Sequence, residues 1–141
     1  MNTLTETSTE QNKSLYRRFI QTIFNEGRLD QLDEFVSPSF VLRDPNPGTP
    51  EGPAAVRHSV TMFRTAFPDL KLTLEELVAE NDKVCARATL RGTHQGPIFG
   101  IPATGKTVTV TGLTMIRFAD GHIVESLVRN DVPGLMRQLK S

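Results

Sequence analysis

The stretch KTVTVTGLTMIRFADGHIVESLVRN, residues 106–130, decides the fold. From Lys106 to Phe118 the apolar residues Val108, Val110 and Ile116 share one parity and Leu113 and Met115 the other. Successive side chains of a β-strand leave opposite faces, so this is one long strand with apolar residues on both faces. Asp120-Gly121 is a two-residue hairpin signal, and Ile123 to Asn130 returns as the partner strand. The two are expected to be the longest adjacent strands of the sheet. A strand apolar on both faces needs cover on both.

Working outward, the loop Gln95 to Gly105 leads into this hairpin from a strand at Lys83 to Thr93, which Asn81-Asp82 turns out of an earlier one. That earlier strand alternates Leu70, Leu72 and Leu74 with Lys71, Thr73 and Glu75, then slips at Glu75-Glu76 before Leu77 and Ala79. A β-bulge produces such a slip and bends the sheet. The second half of the chain is therefore a meander of four strands.

The first half reads as helices. Leu15, Tyr16, Phe19, Ile20, Ile23 and Phe24 fall on one helical face, with Ser8-x-x-Gln11 as a capping box and Gly27 as the C-cap. A shorter helix is suggested by Leu29, Leu32, Phe35 and Val36, stopped by Pro38, and Phe40 to Asp44 reads as a short strand. Pro45, Pro47, Gly48 and Pro50 impose a loop, and Gly52-Pro53 opens a helix carrying Val56, Val60, Phe63 and Phe67 up to Pro68. Pro133-Gly134 opens a short C-terminal segment, Leu135 to Leu139. Residues 1–9 are polar and aperiodic, an expected disordered tail, and residues 10–141 form one domain, since two halves of a 141-residue chain would be small for separate cores. The fold class is α+β: a curved antiparallel sheet, bent into a cone, with helices covering its concave face. The space between is a small-molecule pocket.

Composition narrows the function. Sixteen Lys and Arg balance sixteen Asp and Glu, and no basic run exceeds Arg17-Arg18, so nucleic acid is not an expected partner. No apolar stretch is long enough to span a bilayer, and the polar N-terminus is unlike a signal peptide, which makes a cytoplasmic location the expectation. Cys85, the single cysteine, reads as a packed strand residue. His58, His94 and His122 lie far apart in sequence and form no metal-ligand spacing, so neither metal nor cofactor is expected.

Several stretches together carry a resemblance: GTHQGPIFGIPATGKTVTVTG at 92–112, RFADGHIVES at 117–126, DVPGLMRQL at 131–139, Phe24-Asn25-Glu26-Gly27, Pro38-Ser39-Phe40, and RTAFPD at 64–69. With these the chain resembles the SnoaL-like polyketide cyclases, within the broader nuclear-transport-factor-2-like superfamily. The resemblance implies the same cone, a homodimer, and cofactor-free aldol chemistry on a carbonyl compound. In such cyclases an acid on the last strand removes a proton beside a carbonyl, and a His on the neighbouring strand assists. Burial in an apolar pocket supplies the raised pKa that such a base needs. The resemblance places those two positions at Val128 and Thr114, neither of which can act as a base.

The surviving candidates are acids near that end of the fold. Asp131 is either a pocket base or the cap of the C-terminal helical turn. Asp44-Pro45 resembles the step that carries the base of ketosteroid isomerases, and it also starts a turn well. Arg129-x-Asp131 is similar to the paired Arg and Asp of the superfamily's epoxide hydrolases, though the long strand offers no second acid. Tyr16, Phe24, Thr114, Val128 and His94 are the expected ligand contacts, with His94 equally fit for a strand corner between glycines. Three readings follow: a SnoaL-like cyclase-type protein acting on an apolar, carbonyl-bearing molecule by aldol cyclisation or isomerisation, a non-catalytic binding protein of the same fold, and a ketosteroid isomerase-like or epoxide hydrolase-like enzyme. The outer apolar residues of the long strand call for a homodimer that covers them.

Overall fold

The computed structural model describes the backbone of residues 3–141 and the side chains of residues 8–141. Helix α1 (Thr3–Phe19) continues without a break into a π-helical turn, Ile20–Asn25. It begins ahead of Ser8, so the Ser8-to-Gln11 pattern lies inside the helix, and residues 1 and 2 of the expected tail lie outside the described residues. A 3₁₀ helix, Leu29–Glu34, leads to β1 (Val36–Arg43), then α2 (Ala54–Ala66), β2 (Lys71–Glu80), β3 (Lys83–Thr93), β4 (Thr107–Ala119), β5 (His122–Asn130) and α3 (Val132–Lys140). No helix among the described residues is long and apolar enough to cross a membrane.

The strands form one five-stranded sheet in the order β1-β5-β4-β3-β2. The meander β2 to β5 is antiparallel throughout, as its turn signals require. Asp120 and Gly121 both take positive φ, 51° and 73°, the two-residue geometry that matches strand twist. The longest adjacent pair is β3 with β4 rather than this hairpin.

Two further details differ from the sequence reading. β1 pairs in parallel with β5, so the sheet is mixed. The loop and α2 that follow β1 carry the chain across to β2 at the far edge, and the free side of β5 is where β1 adds to the sheet. The short helix expected up to Val36 is a 3₁₀ helix ending at Glu34, and Pro38 lies inside β1 instead of stopping a helix. A proline lacks the ladder N–H, and β1 tolerates it because it is an edge strand whose register breaks between Val36 and Val41.

Bulges bend the sheet. Glu75 is the extra residue in β2, where the sequence alternation slips, and Val124 is a second in β5. The inner face of β4 carries Val108, Val110, Gly112, Thr114, Ile116 and Phe118. At one end, Ile116 and Phe118 join Val84, Ala86 and Ile123 under Tyr16, Phe19, Ile20, Ile23, Leu32 and Val60. At the other, Val108 and Val110 join Leu90 under Ala66, Phe67, Leu135 and Leu139. Fully burying an aliphatic or Phe side chain contributes roughly 1.5–3 kcal/mol, so these two clusters dominate the stability.

Where β5 ends, α3 covers the open edge of β4. The Gln138 amide donates to Thr109 O at 2.8 Å and accepts from Thr109 N at 2.9 Å, taking the place of a neighbouring strand. On the outer face Glu125 of β5 ties three strands together, at 2.8 Å from Arg43 of β1 and 3.0 Å from Arg117 of β4. Hydrogen bonds from the two guanidinium groups, Arg43 first, hold the Glu125 carboxyl below its ordinary pKa.

A carboxyl whose pKa is depressed by folding stabilises above its unfolded pKa, and that stability is lost as pH falls through the folded value. Glu125→Gln should therefore lower stability at pH 7 by about 1 kcal/mol or less, the range of partly exposed pairs. The gap from wild type should close below about pH 4, beneath the ordinary Glu value. Urea midpoints at pH 7 and pH 3 measure it, and an equal gap at both would show that the carboxylate charge is not the cause.

Candidate functional site

Side-chain rows across the sheet follow from strand register. Leu77, Ala86, Thr114 and Val128 pair in sequence across β2, β3, β4 and β5 and face the helices. The adjacent row, Val78, Cys85, Met115 and Leu127, faces outward. Thr114 and Val128, the positions that the resemblance singled out, are thus direct neighbours on the inner face.

This inner row lies between the two apolar clusters. Gly112 and Thr114 are only half-buried, Val128 is 36% exposed and Asn130 is exposed, although all four belong to the inner face. An inward residue that water reaches marks a part of the concave face left uncovered by the helices. Tyr16 of α1 borders that gap: it is buried, and its hydroxyl shares a hydrogen bond with Thr114. Burial pushes the phenol pKa up, outweighing the opposing effect of the Thr114 bond, so the hydroxyl stays protonated at neutral pH. The row therefore offers hydroxyl groups and no carboxylate or imidazole.

The other expected site residues sit elsewhere. Phe24 packs edge-on against Phe19, ring centroids 6.0 Å apart, in the cluster under α1. His94 is fully buried at the end of β3. Its Nδ1 accepts the Thr104 N–H at 3.1 Å and lies 3.0 Å from the Thr104 hydroxyl. Accepting a backbone N–H puts the ring proton on Nε2, which is buried without a partner among the described residues. His94 thus anchors the loop Gln95 to Gly105, with Phe67 beside its ring.

Asp44 and Asp131 are likewise engaged. Asp44, at the end of β1 with φ 47°, holds Arg129 at 2.8 Å, and both side chains are more than half exposed. Arg129 therefore pairs with Asp44, not with Asp131. Asp131 is the N-cap of α3: its Oδ1 accepts the Gly134 N–H at 3.0 Å, with Pro133 in the first turn. Among the described residues no three His, Cys, Asp or Glu side chains gather where they could hold a metal ion.

Two of the motifs, RTAFPD and the run that starts at Gly92, prove to be halves of one joint. In RTAFPD, Asp69 accepts the Thr93 N–H at 2.7 Å and the Thr93 hydroxyl at 2.8 Å, bonds that hold its pKa low. Ala66 O accepts from Gln95 N at 2.8 Å and Gly96 N at 3.2 Å. Arg64 donates to Phe24 O and Asn25 O at 2.8 and 2.9 Å. Asn25 in turn grips β2, with its Oδ1 2.7 Å from Leu72 N and its Nδ2 3.0 Å from Leu72 O. These motifs fasten helices to strands at a distance from the inner row.

An α+β cone of helices over a curved sheet is the nuclear-transport-factor-2-like architecture. Within it, the chain belongs to the SnoaL-like polyketide cyclase family, whose model matches residues 14–139. It is 33% identical to the aklanonic acid methyl ester cyclase DnrD of Streptomyces peucetius, covering 89% of this chain and 88% of that protein. It is 32% identical to the nogalonic acid methyl ester cyclase of Streptomyces nogalater, covering 82% and 88%. The solved structure of TsrD from Streptomyces laurentii superimposes with a TM-score of 0.84 at 34% identity, covering 92% of this chain and 95% of that one.

Sequence reasoning missed Ser126, Gly112 and Asn130 of the inner face. Counting pairs straight back from the Asp120-Gly121 turn sets Thr114 against Leu127, and only the extra residue Val124 brings Val128 opposite Thr114 and Asn130 opposite Gly112. For Asp131 the capping geometry sets a measurable expectation. Asp131→Ala should cost about 0.5–2 kcal/mol and Asp131→Asn a few tenths at most, because Asn caps nearly as well. Chemical denaturation of the two variants checks this, and equal losses would rule out the cap as the source of stability.

Proposed function

We propose that this chain takes up an apolar, carbonyl-bearing small molecule on the inner face of its sheet, between the two apolar clusters, and that the Tyr16–Thr114 hydroxyl pair receives a carbonyl oxygen. The observation that carries this reading is the inner row itself: Thr114 bonded to a buried, protonated Tyr16 and flanked by Ala86 and Val128. Apolar walls with one hydroxyl donor suit a hydrophobic ligand with a single acceptor to orient. The cyclases to which the chain is similar are named for methyl esters, which are carbonyl compounds.

Cofactor-free acid/base chemistry of the family's kind would need a base beside that carbonyl. Val128 takes no proton, and Asp131 and Asp44 hold a helix cap and an arginine. That placement favours the second reading, binding without turnover. The two part on one measurement. A catalytic Asp131 predicts that Asp131→Asn lowers any turnover by 10² or more, since the amide keeps the shape and cannot accept a proton; the binding reading predicts no effect.

For either reading, calorimetric titration with 1-(2-naphthyl)pentan-1-one, an apolar aryl ketone, should show saturable binding. Tyr16→Phe should weaken it about three- to tenfold, the value of one neutral hydrogen bond. No binding at high micromolar protein would sink the proposal.

We further propose that two copies pair through the outer sheet face. Val78, Leu113 and Met115 are 60%, 53% and 46% exposed there, next to Leu127, a patch that an isolated domain rarely leaves in water. Light scattering at micromolar concentration should give twice the chain mass, and Leu113→Glu with Met115→Glu should give a folded monomer. A wild-type monomer would exclude this arrangement.

A further inference from the structure

Gly112 and Asn130 form a built feature in the uncovered interval of the inner face. The two are register partners on β4 and β5, one row beyond Thr114 and Val128. A β-carbon on Gly112 would collide with Asn130 Oδ1 and crowd Arg129 O at 3.3 Å. A β-carbon there would point inward, as those of Val110 and Thr114 do. The Asn130 carboxamide therefore has its Oδ1 over Gly112, on the inner side of the sheet, and the missing side chain is what makes room for it. Any other residue at 112 would displace it.

That carboxamide has no use inside the protein. It makes no hydrogen bond among the described residues, unlike Asn25, whose amide is spent on both backbone groups of Leu72. Nor does it cap a helix, since Asp131, the next residue, caps α3. With Oδ1 turned onto Gly112, the two Nδ2 hydrogens are the part of the amide left for a partner. Along β4 the Gly112 row and the Thr114 row are two residues, or about 7 Å, apart. The uncovered face thus carries donors in two adjacent rows: the Tyr16–Thr114 pair beside apolar Val128 in one, and the exposed Asn130 amide in the next.

We infer that Asn130 is a ligand-orienting residue that donates from Nδ2 to a second oxygen of the bound molecule. The ligand class is thereby an apolar ring system bearing two acceptor oxygens a few bonds apart, as in a keto ester or a 1,4-dicarbonyl compound. This rests on the reading that the inner face binds a carbonyl compound. It adds a second point of attachment, which fixes the direction in which the molecule lies along β4. One attachment point leaves a flat apolar ligand free to turn about it; two do not. Gly112 is the positioning residue that keeps the amide on the inner face.

The test compares 1-(2-naphthyl)pentane-1,4-dione with 1-(2-naphthyl)pentan-1-one, which differ by the second carbonyl, in calorimetric titrations of the full chain. The wild type should bind the dione about three- to tenfold more tightly than the monoketone, as one added hydrogen bond allows. Asn130→Leu should abolish that preference. Gly112→Ala, which keeps Asn130 and displaces its amide, should do the same. Circular dichroism confirms that each variant is folded, and if Gly112→Ala does not fold, the exposed Asn130→Leu decides alone. If Tyr16-dependent monoketone binding is present but the dione preference is absent, or survives Asn130→Leu, the inference falls and the binding reading stands. If the wild type binds neither compound, both fall together.

Discussion

Everything in this molecule depends on how β4 is covered on its inner side. Two groups of apolar side chains clamp the helices to it, Ile116 and Phe118 at one end and Val108 and Val110 at the other, all nearly free of solvent. Between them stand Gly112 and Thr114, a residue with no side chain and one with a small polar one. Close packing needs side chains to fill the space between layers. Where the strand supplies almost none, and β3 supplies only Ala86 and Ala88, the helices have little to rest on. The clusters hold the fold together, and the interval between them leaves part of the inner face open.

The residues that identify the family serve this architecture. Asp69 and Thr93, Ala66 and Gly96, Arg64 and the carbonyls of Phe24 and Asn25 are contacts between backbone and short side chains, made at the joints of helix and strand. His94 belongs with them: a ring nitrogen that accepts a backbone N–H inside the core is a fastening for a loop. The Asp69–Thr93 bonds are exposed, whereas Arg64 is part-buried and His94 fully buried; a buried polar group left unpaired costs roughly 1–3 kcal/mol, so the inner contacts above all fix the geometry of their joint. They say which fold the chain adopts. What the fold does is decided in the rows of the sheet, where different side chains can stand without disturbing these joints.

At that level the chain differs from the pattern its family implies. A carboxylate in an apolar cone is strained toward its protonated form, which is what gives it basicity near neutral pH. Where the family resemblance implies such an acid this chain has Val128, an apolar wall, while Asp44 and Asp131 are engaged in the Asp44–Arg129 pair and the α3 cap. The polar groups that remain inward are neutral: the Tyr16, Thr114 and Ser126 hydroxyls and the Asn130 amide. Neutral donors aimed into an apolar space orient a ligand without taking its protons, and this is the physical basis for weighing binding against turnover here.

The sequence by itself determined the strands, the Asp120-Gly121 hairpin, the bulge at Glu75, the helical face from Leu15 to Phe24 and the capping potential of Asp131. All of these follow from local rules: period-two or helical spacing, turn chemistry, and the reach of a side chain to its own backbone. It also placed Thr114 and Val128 in neighbouring positions through family resemblance. Tertiary structure decided the rest. The parallel seat of β1 beside β5, with Pro38 admitted at the edge, depends on which sheet edge is free once α2 has crossed to β2. The Arg129–Asp44 pair joins residues from opposite halves of the chain, which no spacing rule connects. Most of all, the single extra residue Val124, silent in the alternation of a short strand, shifts β5 by one position and so sends Val128 and Asn130 to the inner face. A one-residue slip exchanges the two faces of a strand, and only the packed sheet fixes where that slip occurs.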